Sequence, residues 1–148
     1  MTELPPLPVT FRPTRTRVVL IGVGVAVFLV LTVIGLILPV VSAGERVSFV
    51  VTGLLFLGVL LLLSRPRVTA GEDGVTVVNL TSKRRLEWAE VLRVNLRPGD
   101  PWVTLDLADG TNLPAMGIQP GIARQQALTD ARTLRALAER HGTGDTVR

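Results

Sequence analysis

The chain has 148 residues, 16 of them Lys or Arg against 12 Asp or Glu, for a formal net charge of +4. It has no cysteine, which excludes disulfides, thiol nucleophiles and cysteine-ligated metals. Hydrophobic residues make up 47 % of it and concentrate in two uncharged stretches, Val18–Leu38 and Val47–Leu63, so the first half reads as built for lipid rather than water.

Residues 1–16 carry Pro5, Pro6, Pro8 and Pro13 and read as an extended, mobile, proline-rich cytoplasmic tail. The first span is expected over about 17–39. Within it, Val18–Leu38 has Thr32 as its only polar side chain, whose hydroxyl can bond a carbonyl one turn back. Gly22 and Ala26 form a small-xxx-small pair, which we read as ordinary membrane-helix composition rather than as a docking face. Pro39 stops the helix. Val40–Glu45 is too short for a domain, so the second span, about 46–64, returns as the other arm of an antiparallel hairpin, flanked by Arg46 and Arg65. Val41-Ser42-Ala43 also satisfies the small-residue rule of a signal-peptidase site cut after Ala43. Against cleavage stand the length of the apolar run and the distance of the arginines from Met1.

Arginine placement sets the orientation. Arg12, Arg15 and Arg17 precede the first span, and Arg65 and Arg67 follow the second, whereas the loop offers Arg46 beside Glu45. The positive-inside rule puts both termini in the cytoplasm and the loop outside, as a multi-pass protein of the plasma membrane. Neither Val18–Leu38 nor Val47–Leu63 holds an ionisable residue, so no transport path is indicated. Arg12, Arg15, Arg17, Arg65 and Arg67 are candidate contacts for anionic lipid headgroups, each contributing about 1 kcal/mol near an anionic leaflet.

From Arg67 the pattern alternates. Short strands are expected between about 68 and 114, broken by turns at Glu72-Asp73-Gly74, Thr81-Ser82-Lys83, Pro98-Gly99-Asp100-Pro101 and Asp109-Gly110. Leu92, Val94 and Leu96 alternate with Arg93, Asn95 and Arg97 and form one apolar face. Trp88 reads as core or as a strand-end plug, while Trp102, beside Pro101, lies at a turn where it can anchor a contact or cover the barrel mouth. A helix over about 120–141 carries an apolar stripe through Ala127, Leu128, Ala131, Leu134, Leu137 and Ala138, and 143–148 is expected to be a flexible tail. The fold class is therefore α+β: a transmembrane hairpin, then a small antiparallel β-barrel or sandwich over 65–142 closed by a helix.

Arg65-Pro66, then Gly71-Glu72-Asp73-Gly74-Val75-Thr76-Val77, then Arg85-Leu86-Glu87-Trp88-Ala89-Glu90-Val91 resemble the two-span bacterial PH-domain membrane proteins of actinobacteria. The nearest group is the PH-domain family named after low-molecular-weight protein antigen 6, whose pattern Asp73, Gly74, Val75, Asn79, Arg84, Trp88, Glu90 and Val91 occupy. The resemblance implies a pleckstrin-homology-like barrel with a C-terminal helix, and no particular activity. Eukaryotic lipid-binding PH domains hold inositol phosphates with a basic first hairpin loop. Here that loop carries Glu72 and Asp73, which repel phosphate.

The sole histidine, His141, ends a helix without convergent catalytic partners, so an enzyme is not expected, nor a cofactor, metal or small-molecule substrate. Lys83-Arg84-Arg85, even with Arg93 and Arg97 on the same side of a sheet, is too small a patch for nucleic acid. The reading is a membrane-anchored interaction or scaffold module with a protein partner or a second copy, its candidate partner surface being Lys83, Arg84, Arg85 and Trp102. The alternative is a sensor of anionic inner-leaflet lipid acting through the juxtamembrane arginines.

Overall fold

A computed structural model describes residues 3–142; the tail expected over 143–148 lies outside the described residues. The chain forms two compact units, Thr14–Ser64 and, together, Met1–Pro13 with Arg65–Arg148.

The first unit is a helical hairpin of α1 (Thr14–Ile37) and α2 (Ala43–Leu63), each long and apolar enough to cross a membrane. Each helix begins three residues before the expected span, because a polar first turn precedes the apolar run. Three glycines let the antiparallel arms approach. A Cβ at Gly24 would lie 2.9 Å from Leu57, and one at Gly35 or Gly53 would lie 3.1 Å from Phe49 or Phe28. Gly22 faces open space, so the close contact runs through Gly24, Gly35 and Gly53 rather than through the Gly22–Ala26 pair. Ser42 caps α2 in a reciprocal box: its hydroxyl accepts from Glu45 N–H at 3.3 Å, while its own N–H donates to the Glu45 carboxylate at 2.7 Å. Arg46 reaches back to the carbonyls of Leu36 (3.2 Å) and Leu38 (3.4 Å), satisfying orphan acceptors at the end of α1. Arg46, in the first turn of α2, thus holds the hairpin bend together.

The second unit is a two-sheet sandwich closed by a helix. One sheet has the order β1-β2-β3-β4 (Val9–Phe11, Arg67–Ala70, Gly74–Val78, Lys83–Glu87), and the other β5-β6-β7 (Val91–Asn95, Val103–Leu107, Asn112–Ala115), all antiparallel. A single 3-10 turn, Trp88–Glu90, carries the chain between sheets. Alternation buries Val68, Val75, Val77, Leu86, Val103 and Leu105 between the layers. Helix α3 (Arg124–Gly142) adds Ala127, Ala131, Leu134, Leu137 and Ala138. The strands do not close into a barrel; the sandwich alternative is the observed one.

Two expectations are corrected. The N-terminal segment is not a mobile tail: Val9, Thr10 and Phe11 pair with Ala70, Thr69 and Val68, Phe11 is buried, and Leu4, Leu7 and Val9 pack on the core. Proline content predicted extension correctly, but extended chain is also what an edge strand needs. The second correction concerns Leu92, which does not face inward. The β5–β6 register shifts between Val91 and Arg93, and this irregularity turns Leu92 out to 63 % exposure while Val91 and Val94 stay buried.

Two close approaches explain positions that pattern alone leaves open. A Cβ at Gly74 would sit 2.0 Å from the Leu86 carbonyl oxygen, and one at Gly117 would sit 2.5 Å from Arg67 Cα, so backbone passes against backbone at both. Asn79, 5 % exposed, spans the layers: its amide donates to Pro114 C=O at 2.7 Å and its oxygen accepts from Met116 N–H at 3.1 Å. Both tryptophans, Trp88 and Trp102, lie in this unit, so intrinsic fluorescence reports its unfolding alone. Phe11→Ala is expected to destabilise it by about 3 kcal/mol in the full chain in detergent, as for a buried aromatic truncated in a core. A mobile tail would leave the fluorescence midpoint unmoved.

Candidate partner-binding surface

The residues singled out in the sequence fall into separate places. Arg12 and Arg67 are brought together, each one position past the paired Phe11 and Val68, with Arg12 exposed and Arg67 half-buried. Arg12 also offers its carbonyl to Gln126 at 3.1 Å. Arg65 donates to Leu80 C=O at 3.4 Å, while Arg15 and Arg17 sit in the opening turns of α1.

Lys83, Arg84 and Arg85 occupy β4, an edge strand, all exposed. Arg84 pairs with Asp109 at 3.7 Å, in the turn that follows β6. Trp102, half-buried, immediately precedes β6. The whole of β6, five residues or about 17 Å, lies between Trp102 and the turn that holds Asp109, so the two halves of the expected partner surface do not form one patch. Arg93 and Arg97 also lie apart from the Lys83–Arg85 edge. Arg93 is in β5 of the other sheet, and Arg97 follows that strand in a turn where its N–H donates to Asp100. Charge along an edge strand has a structural use of its own, since it discourages pairing with another chain.

Two clefts flank Trp88. Its indole N–H donates to Gly71 C=O at 2.9 Å, and the His141 ring stacks on it with centroids 5.4 Å apart and planes 17° off parallel. On one side lies an open cleft of about 740 Å³ bordered by Glu72, Asp73, Glu87 and Glu90 against a single arginine, Arg85. Four carboxylates make this end of the domain unfavourable for a phosphate; the acidic Gly71–Gly74 turn among them joins β2 to β3, so it is not the first connection of the sheet, as expected from the sequence, but the second. On the other side, a cleft of about 360 Å³ runs between β5 and α3, with Val91, Leu92 and Val94 on one wall and Ala138, Glu139 and Gly142 on the other. Arg135 crosses it, donating to Val94 C=O through Nη2 (2.9 Å) and Nε (3.3 Å). Among the described residues of this unit, Leu92 and Ile122 are the large apolar side chains left exposed. Sequence reasoning missed this second cleft, because a regular strand would have hidden Leu92. The sequence held no signal for it, since Leu92, Val94 and Leu96 alternate with Arg93, Asn95 and Arg97 as a regular strand would.

In the PH-like unit two carboxylates depart from their ordinary range. The Thr111 hydroxyl and N–H, with Arg84 nearby, hold Asp109 low. Burial pushes Asp130 up to about 6, in a recess shared with Arg12, Gln126 and the Gly117–Gln119 segment.

Residues 65–137 match the family model described as Bacterial PH domain. The chain belongs to the bacterial PH-domain family. It is 35 % identical over 113 residues to uncharacterized proteins of Mycobacterium bovis and of two Mycobacterium tuberculosis strains, covering 72 % of this chain and 73 % of each relative. No solved structure gives a significant match. The matched stretch omits β1, although β1 completes the first sheet of this PH domain.

Asp130 generates a pH dependence of known sign. Its folded value, about 6, lies above the ordinary 3.8, so between these values the folded PH domain keeps a proton that the unfolded chain has released. Stability therefore falls as pH rises through that window. Asp130→Asn is expected to raise the fluorescence unfolding midpoint at pH 7.5, by about 1 kcal/mol after allowing for solvent screening, and to leave it unchanged at pH 3.5. Equal effects at both pH values would exclude the shift.

Proposed function

We propose that this PH domain is an interaction module anchored to the plasma membrane by α1 and α2, held on the cytoplasmic face, and that it works by binding rather than by catalysis. The observation that carries the reading is the β5–α3 cleft, where an irregular strand exposes Leu92 beside a sheet edge that pairs with no further strand. Leu92 adjoins Val91, Val94 and Ala138 in a concave, partly apolar cleft, the shape that a partner's side chains can fill. Orientation rests on the arginines that flank the hairpin, Arg12, Arg15 and Arg17 before it and Arg65 and Arg67 after it, against Arg46, which α1 carbonyls occupy. Confinement to a membrane raises the effective concentration of any membrane partner or second copy, so modest affinity suffices.

Because the chain has no cysteine, single substitutions report position cleanly. Val40→Cys, at a loop residue 91 % exposed, is expected to react with an impermeant maleimide in intact cells. Ser82→Cys, in the exposed turn before β4, is expected to react only after lysis. The reverse pattern would overturn the orientation. Cross-linking in the same membranes, followed by purification of the chain, tests the module itself; recovery of the chain with no covalent adduct at any exposed position would count against it.

The juxtaposition of Arg12 and Arg67 supports a second reading, in which they contact anionic headgroups. Hydrogen exchange in β1 and β2 of the reconstituted chain is then expected to slow when anionic lipid replaces zwitterionic lipid, and Arg12→Gln with Arg67→Gln to abolish the difference. Identical exchange in both lipids would remove this reading.

A further inference from the structure

Resting on the interaction-module reading, we propose that the β5–α3 cleft receives an extended segment of a partner protein carrying apolar and acidic residues, which adds as a strand to the outer edge of β5, and that Arg135 is the latch of this edge.

The backbone supplies the first argument. β5 is the edge of its sheet, and the Val94 carbonyl points away from β6, since it accepts from Arg135 on α3. In an extended strand the N–H and C=O of one residue project to the same side, so the Val94 N–H also faces the cleft. An incoming strand finds a donor there and an acceptor held by a displaceable side chain.

The other edges are closed by different means. β4 presents Lys83, Arg84 and Arg85, β7 contains Pro114, which has no N–H, and β1 has three residues. Only at β5 is the block a guanidinium that a ligand can trade for something better. A carboxylate on the incoming segment offers Arg135 a bidentate, charge-assisted partner in place of one neutral carbonyl. The exchange frees Val94 C=O for pairing.

Charge selects the occupant. Arg93 and Arg135 line the cleft against one acid, Glu139, and two copies joined edge to edge through β5 would set these arginines against their own counterparts. A second copy is therefore disfavoured and an acidic segment favoured. Leu92 supplies the apolar contact that fixes register, since alternate side chains of an added strand point to one face.

The test uses the full chain in detergent micelles and two capped, fluorescent nine-residue peptides, one alternating valine with glutamate and one alternating valine with lysine, followed by anisotropy. Saturable binding of the glutamate peptide is expected, at least 10-fold tighter than that of the lysine peptide. Leu92→Asp and Arg93→Glu, both at exposed positions, are each expected to weaken it 10-fold or more with the unfolding midpoint unchanged. Arg135→Gln is expected to erase the charge preference. Equal binding of the two peptides, no binding of either, or indifference to both Leu92→Asp and Arg93→Glu would overturn the proposal. A photoreactive residue at position 92 or 102, in native membranes, separates this failure from that of the broader reading. An adduct at position 92 that excess glutamate peptide abolishes is expected. Adducts at 102 alone would overturn the β5 assignment and leave the module intact, and adducts at neither would remove both.

Discussion

The structure depends on one pairing: a three-residue strand ahead of the helical hairpin lies against the strand that follows it. Thr10 and Thr69 meet 59 residues apart in sequence, with hydroxyls at 3.3 Å, and Phe11 enters the core beside them. The chain that leaves the PH domain at Pro13 and the chain that returns at Arg65 are thereby fixed to neighbouring points of one sheet. Closing so long a loop is entropically costly for two free strands. The hairpin between them, itself closed by Gly24, Gly35 and Gly53 and by the Arg46 cap, removes most of that cost because its two ends are already on the same side.

A small sandwich has many edges for its size, and this one treats each differently. The charges of β4 and the proline of β7 act by making strand addition unfavourable, and the shortness of β1 leaves little to pair with. β5 is handled from outside, by a helix and one arginine that borrows a backbone acceptor. The register shift that exposes Leu92 sits on this same strand, so the strand with the irregular register is also the one that Arg135 covers. Trp88 borders both this cleft and the acidic one, with His141 stacked on it at the acidic side.

Much of this was legible in the residues. The absence of charge over Val18–Leu38 and Val47–Leu63 marks two helices, alternation from Val68 marks strands, and the stripe from Ala127 to Ala138 marks the closing helix, because each pattern matches the period of its element. Asp73, Gly74, Asn79 and Trp88 carried the family resemblance, and the structure gives two of them a physical reason. Gly74 admits no Cβ beside Leu86, and Asn79 ties the two sheets. The proposed partner surface was not legible. Lys83–Arg85 and Trp102 are each exposed enough to suggest contact, yet they sit toward opposite ends of β6.

The sequence by itself determined that the first half holds two stretches apolar enough to cross a membrane, the kind of each element and the family, since these follow from local periodicity and composition. Only the tertiary structure decided that Val9–Phe11 is a strand of the sandwich, that Leu92 turns outward and that Arg135 covers Val94, because each of these requires a partner distant in the chain. A strand's neighbour and an irregular register are properties of the pair. Neither is written in the residues of one member.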